Sequence, residues 1–489
     1  MPLLPVKSVP ISRWQITAGI ALLAVISVWT FLRAHGQTPS NQFALKGTLV
    51  TPTEIIDDGI VLVVDDKIKA VGKDIQLPTG VKVIETKGFI YPGLIDLHDH
   101  ITWNFLPRWT AGQKFSNRYE WQQLPEYLPA LSSPHATVVP SPTPPGKRTS
   151  DQEALACDAN RYGEVKAIAG GATSVVDSLG IDKDNPCIEG MARNLNSYSG
   201  LYPVGTEEKF RNEVFPLEIR TDDVVKINDA LKNHQLAMVV HLAEGKRNDA
   251  SSAREFRMLR ARGFLQEGLS IIHGVALRAP EFTEMNAARV GLIWSPRSNI
   301  ELYGETTDVR TATDFKIMIA LAPDWSPTGS DGILEELNYA AAWNAAQSPR
   351  VFTDAELVKM VTINPATLAR LPDKIGSLQP DHFADLLVVR SQEKDGYRAL
   401  LHASPTDIAL VIIGGSPVYG DAEFMQQLAA PDRLEPLTVC GTTKVIDFDT
   451  EKAPPGKQQR KSWKATVDAL TEALKPFHLS PSDLIPCPP

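Results

Sequence analysis

The stretch YPGLIDLHDH, residues 91–100, ends an apolar run on two histidines separated by one aspartate, in a chain with only 10 histidines. In an extended strand alternate side chains share a face, so His98 and His100 would project together while Asp99 points the other way. Two imidazoles on one face offer a pair of ligands to a single metal ion. A bare H-x-H is a weak signal by itself, so its meaning depends on what else the chain brings to the same place.

Other apolar stretches end on comparable side chains. QLAMVVHLAE (235–244) carries His241 and, three residues on, Glu244; LSIIHGVAL (269–277) carries His273; TGSDG (328–332), just past the apolar KIMIALAPDW (316–325), carries Asp331. Between these stretches lie helix-like segments such as TDDVVKINDALKN (221–233) and SSAREFRMLRARG (251–263). That alternation across residues 92–374 argues for parallel βα units, and a region of roughly 280 residues suits a (β/α)8 TIM barrel. Reactive groups in such barrels sit at the C-terminal strand ends, so His98, His100, His241, Glu244, His273 and Asp331 are expected to converge. The third and fourth strands, somewhere in 195–220, are poorly marked.

The flanks have a different texture. FALKGTLVT, GIVLVVDDKIKAVG and VKVIETKGFIYPG before residue 94, and GSLQPDHFADLLVVR and IALVIIGGSPVYGD after residue 375, read as strands between turn residues. A small composite β-sandwich domain built from residues 43–91 and 375–450 is therefore expected beside the barrel, giving an α/β protein overall. With 43% hydrophobic and 22% charged residues the chain has a globular composition. Its net charge of −9 comes without a basic run of the kind that tracks phosphates, so nucleic acid is not expected as a partner.

Lys7 and Arg13 precede ITAGIALLAVISVWTFL (16–32), an uncharged apolar run, and AHG (34–36) follows with small residues. Residues 1–36 are read as a signal peptide or an uncleaved N-terminal membrane anchor, which places the rest of the chain in the periplasm or outside the cell. Membrane contact is expected only through that segment. All 4 cysteines lie after it, and an even count in an exported chain permits two disulfides in three connectivities. Cys157–Cys187 with Cys440–Cys487 is the favoured pairing, against reduced thiols as the alternative.

PGLIDLHDH, VVHLAE, IIHGVAL, WSPRSN and TGSDG, in this order and spacing, resemble the amidohydrolase superfamily, most closely its cytosine deaminase and triazine hydrolase branch. The likeness runs from about residue 43 to 420. It implies one divalent metal held by His98, His100, His241 and Asp331. Nitrogen and oxygen ligands with a position left for water suit zinc, with iron or manganese as alternatives. The resemblance further implies a metal-activated water, Glu244 as proton shuttle, His273 as a hydrogen-bond partner of the attacking oxygen, and Asp331 as a second proton acceptor. Lys166 reads as lying on a helix before the second strand rather than bridging two metals, so a single ion is expected.

Arg297 and Asn299, in SPRSN, are candidate substrate contacts. So is Trp103, in a long loop (101–151) that also carries Phe105, Trp109, Tyr119, Trp121 and Tyr127 and could form an aromatic lid. His135, in the Pro-rich part of that loop, is expected to be solvated. The C-terminal segment 451–489 is read as a Pro-rich tail with a helix, where Trp463, Val467, Leu470 and Leu474 follow helical spacing. The function expected is hydrolysis of a non-peptide carbon–nitrogen bond, a cyclic amide or an amine, in a small molecule. Deamination of a heteroaromatic ring and a catalytically silent metal-binding surface protein are the alternatives; a homo-oligomer is compatible with either.

Overall fold

A computed structural model describes residues 41–141, 148–176, 187, 190–196, 201, 208–448, 461–485 and 487. The apolar segment 16–32 lies outside them; among the described residues no helix is long and apolar enough to cross a membrane.

Both ends of the chain contribute to one nine-stranded sheet. The N-terminal part supplies β1 (Gln42–Val50), β2 (Ile55–Val64), β3 (Lys67–Gly72) and β4 (Lys82–Pro92). The central region supplies β5 (Leu94–Ile95), β6 (Ala172–Val175), β7 (Arg193–Asn194), β8 (Phe210–Glu213), β9 (Ala237–Leu242), β10 (Leu269–His273), β11 (Gly291–Trp294) and β12 (Ile319–Leu321). The C-terminal part adds β13 (Leu386–Val389), β14 (Ile408–Ile413), β15 (Ser416–Gly420), β16 (Leu434–Val439) and β17 (Thr442–Asp447). The large sheet runs β16-β17-β15-β14-β13-β4-β1-β2-β3, so β4 and β13, distant in sequence, are hydrogen-bonded neighbours. Both of its faces are buried there. Ile90, Leu386 and Val388 pack into one apolar cluster, and their neighbours Phe89, Tyr91, Leu387 and Val389 into another. Alternation between two apolar faces explains why these strands read as continuous hydrophobic runs.

Among the described residues, the eight central strands form two parallel sheets, β12-β11-β10-β9-β8 and β5-β6-β7. Ala237, Val239, Ile272 and Ile293 share an inner cluster with Ile95 and Leu97, while Met238, Val240, Ile271 and Leu292 face the helices. β8 falls in the poorly marked 195–220 window; β7 lies just before it and is only two residues long. Neither offers an apolar run long enough to stand out in sequence.

The helix Ser150–Ala169 starts on a capping box between Thr149 and Gln152 and carries Lys166, as expected, ahead of β6. It also carries Cys157, which is bonded to Cys187. Replacing both by serine is expected to cost about 3–4 kcal/mol of stability, because the bridge closes a loop across 30 residues of sequence; chemical denaturation of the double variant measures it. The second expected disulfide does not form. Cys440 and Cys487 are free thiols, and burial together with the neighbouring Cys487 side chain pushes the Cys440 thiol up to about 12.

The C-terminal helix Trp463–Leu474 packs on the body. Its Leu470 and Leu474 join Phe105, Trp109, Trp121 and Leu131 of the long loop in one apolar cluster, so the tail secures that loop from outside.

Candidate metal centre

The expectation that His98 and His100 project from a strand needs correction. β5 ends at Ile95, and both histidines lie beyond it in a loop held by its own aspartates. The Asp96 carboxylate accepts from the His98 backbone N–H at 3.0 Å, and Asp99 accepts from the His100 N–H at 2.7 Å and from Asn104 Nδ2 at 2.8 Å. Such side-chain-to-backbone bonds replace the ladder bonds that a strand would have supplied. The loop is then zipped to the segment after β12: His100 N–H donates to the Asp324 carbonyl at 2.9 Å, and Asp324 N–H to the His98 carbonyl at 3.1 Å.

This pairing places the Asp324 side chain between the two imidazoles. Its Oδ1 is 2.9 Å from His98 Nε2 and 3.5 Å from His100 Nε2. His241 enters from β9, with ring centroids 4.6 Å from His98 and 5.4 Å from His100. One candidate ligand atom from each of His98, His100, His241 and Asp324 lies within 4.8 Å of the others. The carboxylate of the cluster is thus Asp324, not Asp331. Asp331 points away, into an ion pair with fully buried Lys166 at 2.6 Å, and Lys166 Nζ also reaches Ser482 Oγ at 2.9 Å. The signal available in sequence was spacing. Asp324 lies three residues past the end of β12, as His98 lies three past β5; Asp331 lies ten past.

The chemistry of the cluster fits a divalent cation. Burial drives the His98 imidazole down to about 4 and that of His241 well below its ordinary value, so both are neutral ligands at physiological pH. Burial alone would raise Asp324, but its hydrogen bond to His98 and the neighbouring imidazoles hold it below the usual carboxylate range. The Nδ1 atoms of His98 and His241 are buried without a hydrogen-bond partner, which is costly unless something else is bound by the rings.

Beside the cluster lie the two remaining candidates. Glu244, buried, receives a hydrogen bond of 2.6 Å from Tyr303 Oη on Oε1, while its Oε2 is 3.7 Å from both His273 Nε2 and Arg118 Nη1. His273 closes β10 with a left-handed φ of 64°, which breaks the strand's alternation at that residue. Its Nδ1 faces Asn299 Oδ1 at 2.9 Å, and Asn299 Nδ2 donates to Thr306 Oγ1 at 3.2 Å. The contact with Asn299 Oδ1 puts a hydrogen on Nδ1 and turns Nε2 toward Glu244.

His100, His241, Glu244, His273 and Asp324 open on a cavity of about 700 Å³ walled by Trp103, Trp121, Tyr127, Phe215 and Trp325. Trp103 lies flat on His135, centroids 3.6 Å apart and 6° from parallel. His135 is therefore buried rather than solvated, because the Pro-rich stretch forms a helix, Ser133–Val138, that turns it inward; burial drives its imidazole down to about 3. Neither Arg297 nor Asn299 lines the cavity. Arg297 pairs with Glu335, and its backbone N–H donates to Glu336; Asn299 is spent on His273. Sequence reading missed Arg118 and Tyr303, which touch Glu244 from elements distant in the chain, and Trp325, next to the unrecognised Asp324.

The amidohydrolase family model matches residues 89–418. A 5-methylthioadenosine/S-adenosylhomocysteine deaminase of Pyrococcus furiosus is 24% identical over 426 residues, covering 77% of this chain and 93% of that protein. Among solved structures, an adenosine deaminase from Xanthomonas campestris with bound zinc superposes at TM-score 0.65 with 14% identity, covering 89% of this chain and 98% of that one. A triazine hydrolase of Arthrobacter aurescens superposes at 0.58 with 16% identity, over 77% of this chain and 94% of its own. These structures share the fold. Together with the site geometry, the family match means that the chain belongs to the amidohydrolase family, as a metal-dependent hydrolase acting on carbon–nitrogen bonds other than peptide bonds.

Proposed function

We propose that this chain removes an amino group hydrolytically from a flat nitrogen heterocycle. The observation that carries the reading is one cavity on which His100, His241 and Asp324 of the four-residue cluster, together with Glu244 and His273, open beside four aromatic walls from the long loop and the segment after β12. Flat walls favour a flat ligand, which stacks at little entropic cost. The deaminase names of the curated relatives point the same way. In the reading proposed here the central strands close into an eight-stranded barrel, the nine-stranded sheet folds as a sandwich, and residues 1–36 direct export. The Cys157–Cys187 bridge fits an oxidising compartment.

A divalent ion at the cluster, zinc by donor set, would supply Lewis acidity and bring a water toward hydroxide at neutral pH. The chain's own residues do the rest. Glu244 accepts a proton from the water and passes it to the ring nitrogen or the departing amine, since an amine leaves only after protonation. His273, its Nδ1 fixed by Asn299, offers Nε2 to the attacking oxygen's hydrogen and keeps it aligned. Trp103 and Trp325 hold the ring plane.

Ammonia release from a panel of adenine nucleosides, guanine, cytosine and aminotriazines tests the reading. Turnover of at least one member is expected. Ring opening of a cyclic amide with no ammonia from any amine would replace deamination by amide hydrolysis.

A further inference from the structure

We infer that Arg118 and Tyr303 are positioning residues that hold Glu244 in its working orientation, and that the long loop after β5 is thereby a built-in part of the proton-transfer apparatus. This rests on the role proposed for Glu244.

The loop is fastened to the Glu244 segment by backbone bonds. Arg118 N–H donates to the Glu244 carbonyl at 3.2 Å, Lys246 N–H donates to the Ser116 carbonyl at 2.6 Å, and Asn117 pairs antiparallel with Gly245. No side chain larger than glycine's fits at 245: an added Cβ would stand 2.6 Å from the Ser116 carbonyl oxygen and 2.9 Å from Asn117 Cα. On the other side Phe115 N–H donates to the Leu302 carbonyl at 2.8 Å, beside Tyr303. The segment 115–118 therefore bridges the chain after β9 and the helix Pro296–Tyr303 that follows β11.

From that bridge two side chains converge on one carboxylate. The Arg118 guanidinium, 3% exposed, is a buried cation close to Glu244 and to a second buried carboxylate, Glu255. It is anchored by Nη1 to the Val214 carbonyl at 2.8 Å, and Glu255 is engaged elsewhere, accepting from Ala243 N–H at 2.8 Å and Tyr119 Oη at 2.9 Å. Tyr303 Oη donates to Glu244 Oε1 and accepts from Trp121 Nε1 at 3.0 Å, so its hydrogen is directed to the carboxylate. A buried carboxylate is fixed in orientation by the hydrogen-bond donors and the cation set against it. Here Tyr303 occupies one oxygen and Arg118 flanks the other, leaving Oε2 beside His273 and the cluster.

The test uses the full chain, loaded with zinc, and whichever heterocyclic amine is deaminated fastest in the panel above. Arg118→Ala is expected to lower kcat by on the order of a hundredfold with KM within about threefold, the pattern of an interaction that acts on the chemical step rather than on uniform binding. Added guanidinium, below unfolding concentrations, is expected to restore at least about a tenth of the lost rate. Tyr303→Phe, which keeps the ring in place, is expected to cost about tenfold in kcat at unchanged metal content. Independently of any substrate, a crystal structure of Arg118→Ala is expected to show the Glu244 carboxylate turned away from His273. An undisplaced Glu244, a change in KM alone, or a kcat loss that guanidinium does not rescue overturns the inference. Glu244→Gln separates the two ideas: if it stays active, the proton-shuttle reading itself is wrong, whereas an inactive Glu244→Gln beside fully active Arg118 and Tyr303 variants removes only the positioning role.

Discussion

Asp324→Asn is expected to lose bound metal and catalysis together, whereas Asp331→Asn keeps the metal. Asp324 Oδ1 lies 2.9 Å from one clustered imidazole and 3.5 Å from another, and it is the one carboxylate in the four-residue group. A carboxamide there loses the negative charge that offsets a dication among the clustered imidazoles, so affinity is expected to fall by at least about a hundredfold. Asp331→Asn acts on stability instead. It strands Lys166, which is fully buried and otherwise bonded to Ser482 and the Asn104 carbonyl, and breaking such a pair costs about 3–5 kcal/mol. Metal per folded chain and the melting temperature separate the two outcomes. Metal retained in Asp324→Asn and lost in Asp331→Asn would return the ligand role to Asp331. His241→Ala serves as the positive control for metal loss.

Glu244→Gln is expected to reduce turnover by about three orders of magnitude or more while metal stays near one per chain, because the substitution removes a proton carrier and leaves the ligand set intact. The glutamine is nearly isosteric, so Tyr303 can still donate to its carbonyl oxygen and the aromatic walls are undisturbed. KM is expected to change little. Steady-state kinetics combined with metal analysis decides it; activity within about tenfold of the unmodified chain would mean that another group moves the proton, and His273, 3.7 Å away, would be the next to test.

Much of this site was legible along the chain. His98, His100, His241, Glu244 and His273 were each nominated because an apolar strand ended on or just before a residue able to bind metal or carry a proton, and the structure brings all five to one cavity or its edge. The aspartate was misread because TGSDG looked like the expected pattern, while APDW placed its carboxylate at the right distance past β12. Arg297 and Asn299 were chosen on nearness in sequence to β11, but a helix begins at Pro296 and turns Arg297 toward Glu335 and Asn299 toward His273. The lid aromatics divided: Trp103, Trp121 and Tyr127 reach the cavity, Phe105 and Trp109 pack beneath it, and Tyr119 stays half-exposed.

Residue type and periodicity by themselves determined the parallel βα character, the β-rich flanks, the donor chemistry of the cluster and the helix near the C-terminus, because each is encoded in local spacing. Tertiary structure alone decided which aspartate completes the cluster, that Lys166 neutralises the other one, and that Arg118 and Tyr303 meet at Glu244. Those are contacts between segments as far as 226 residues apart, as from His98 to Asp324, and no local pattern records which side chains the folding of strands and loops will bring face to face.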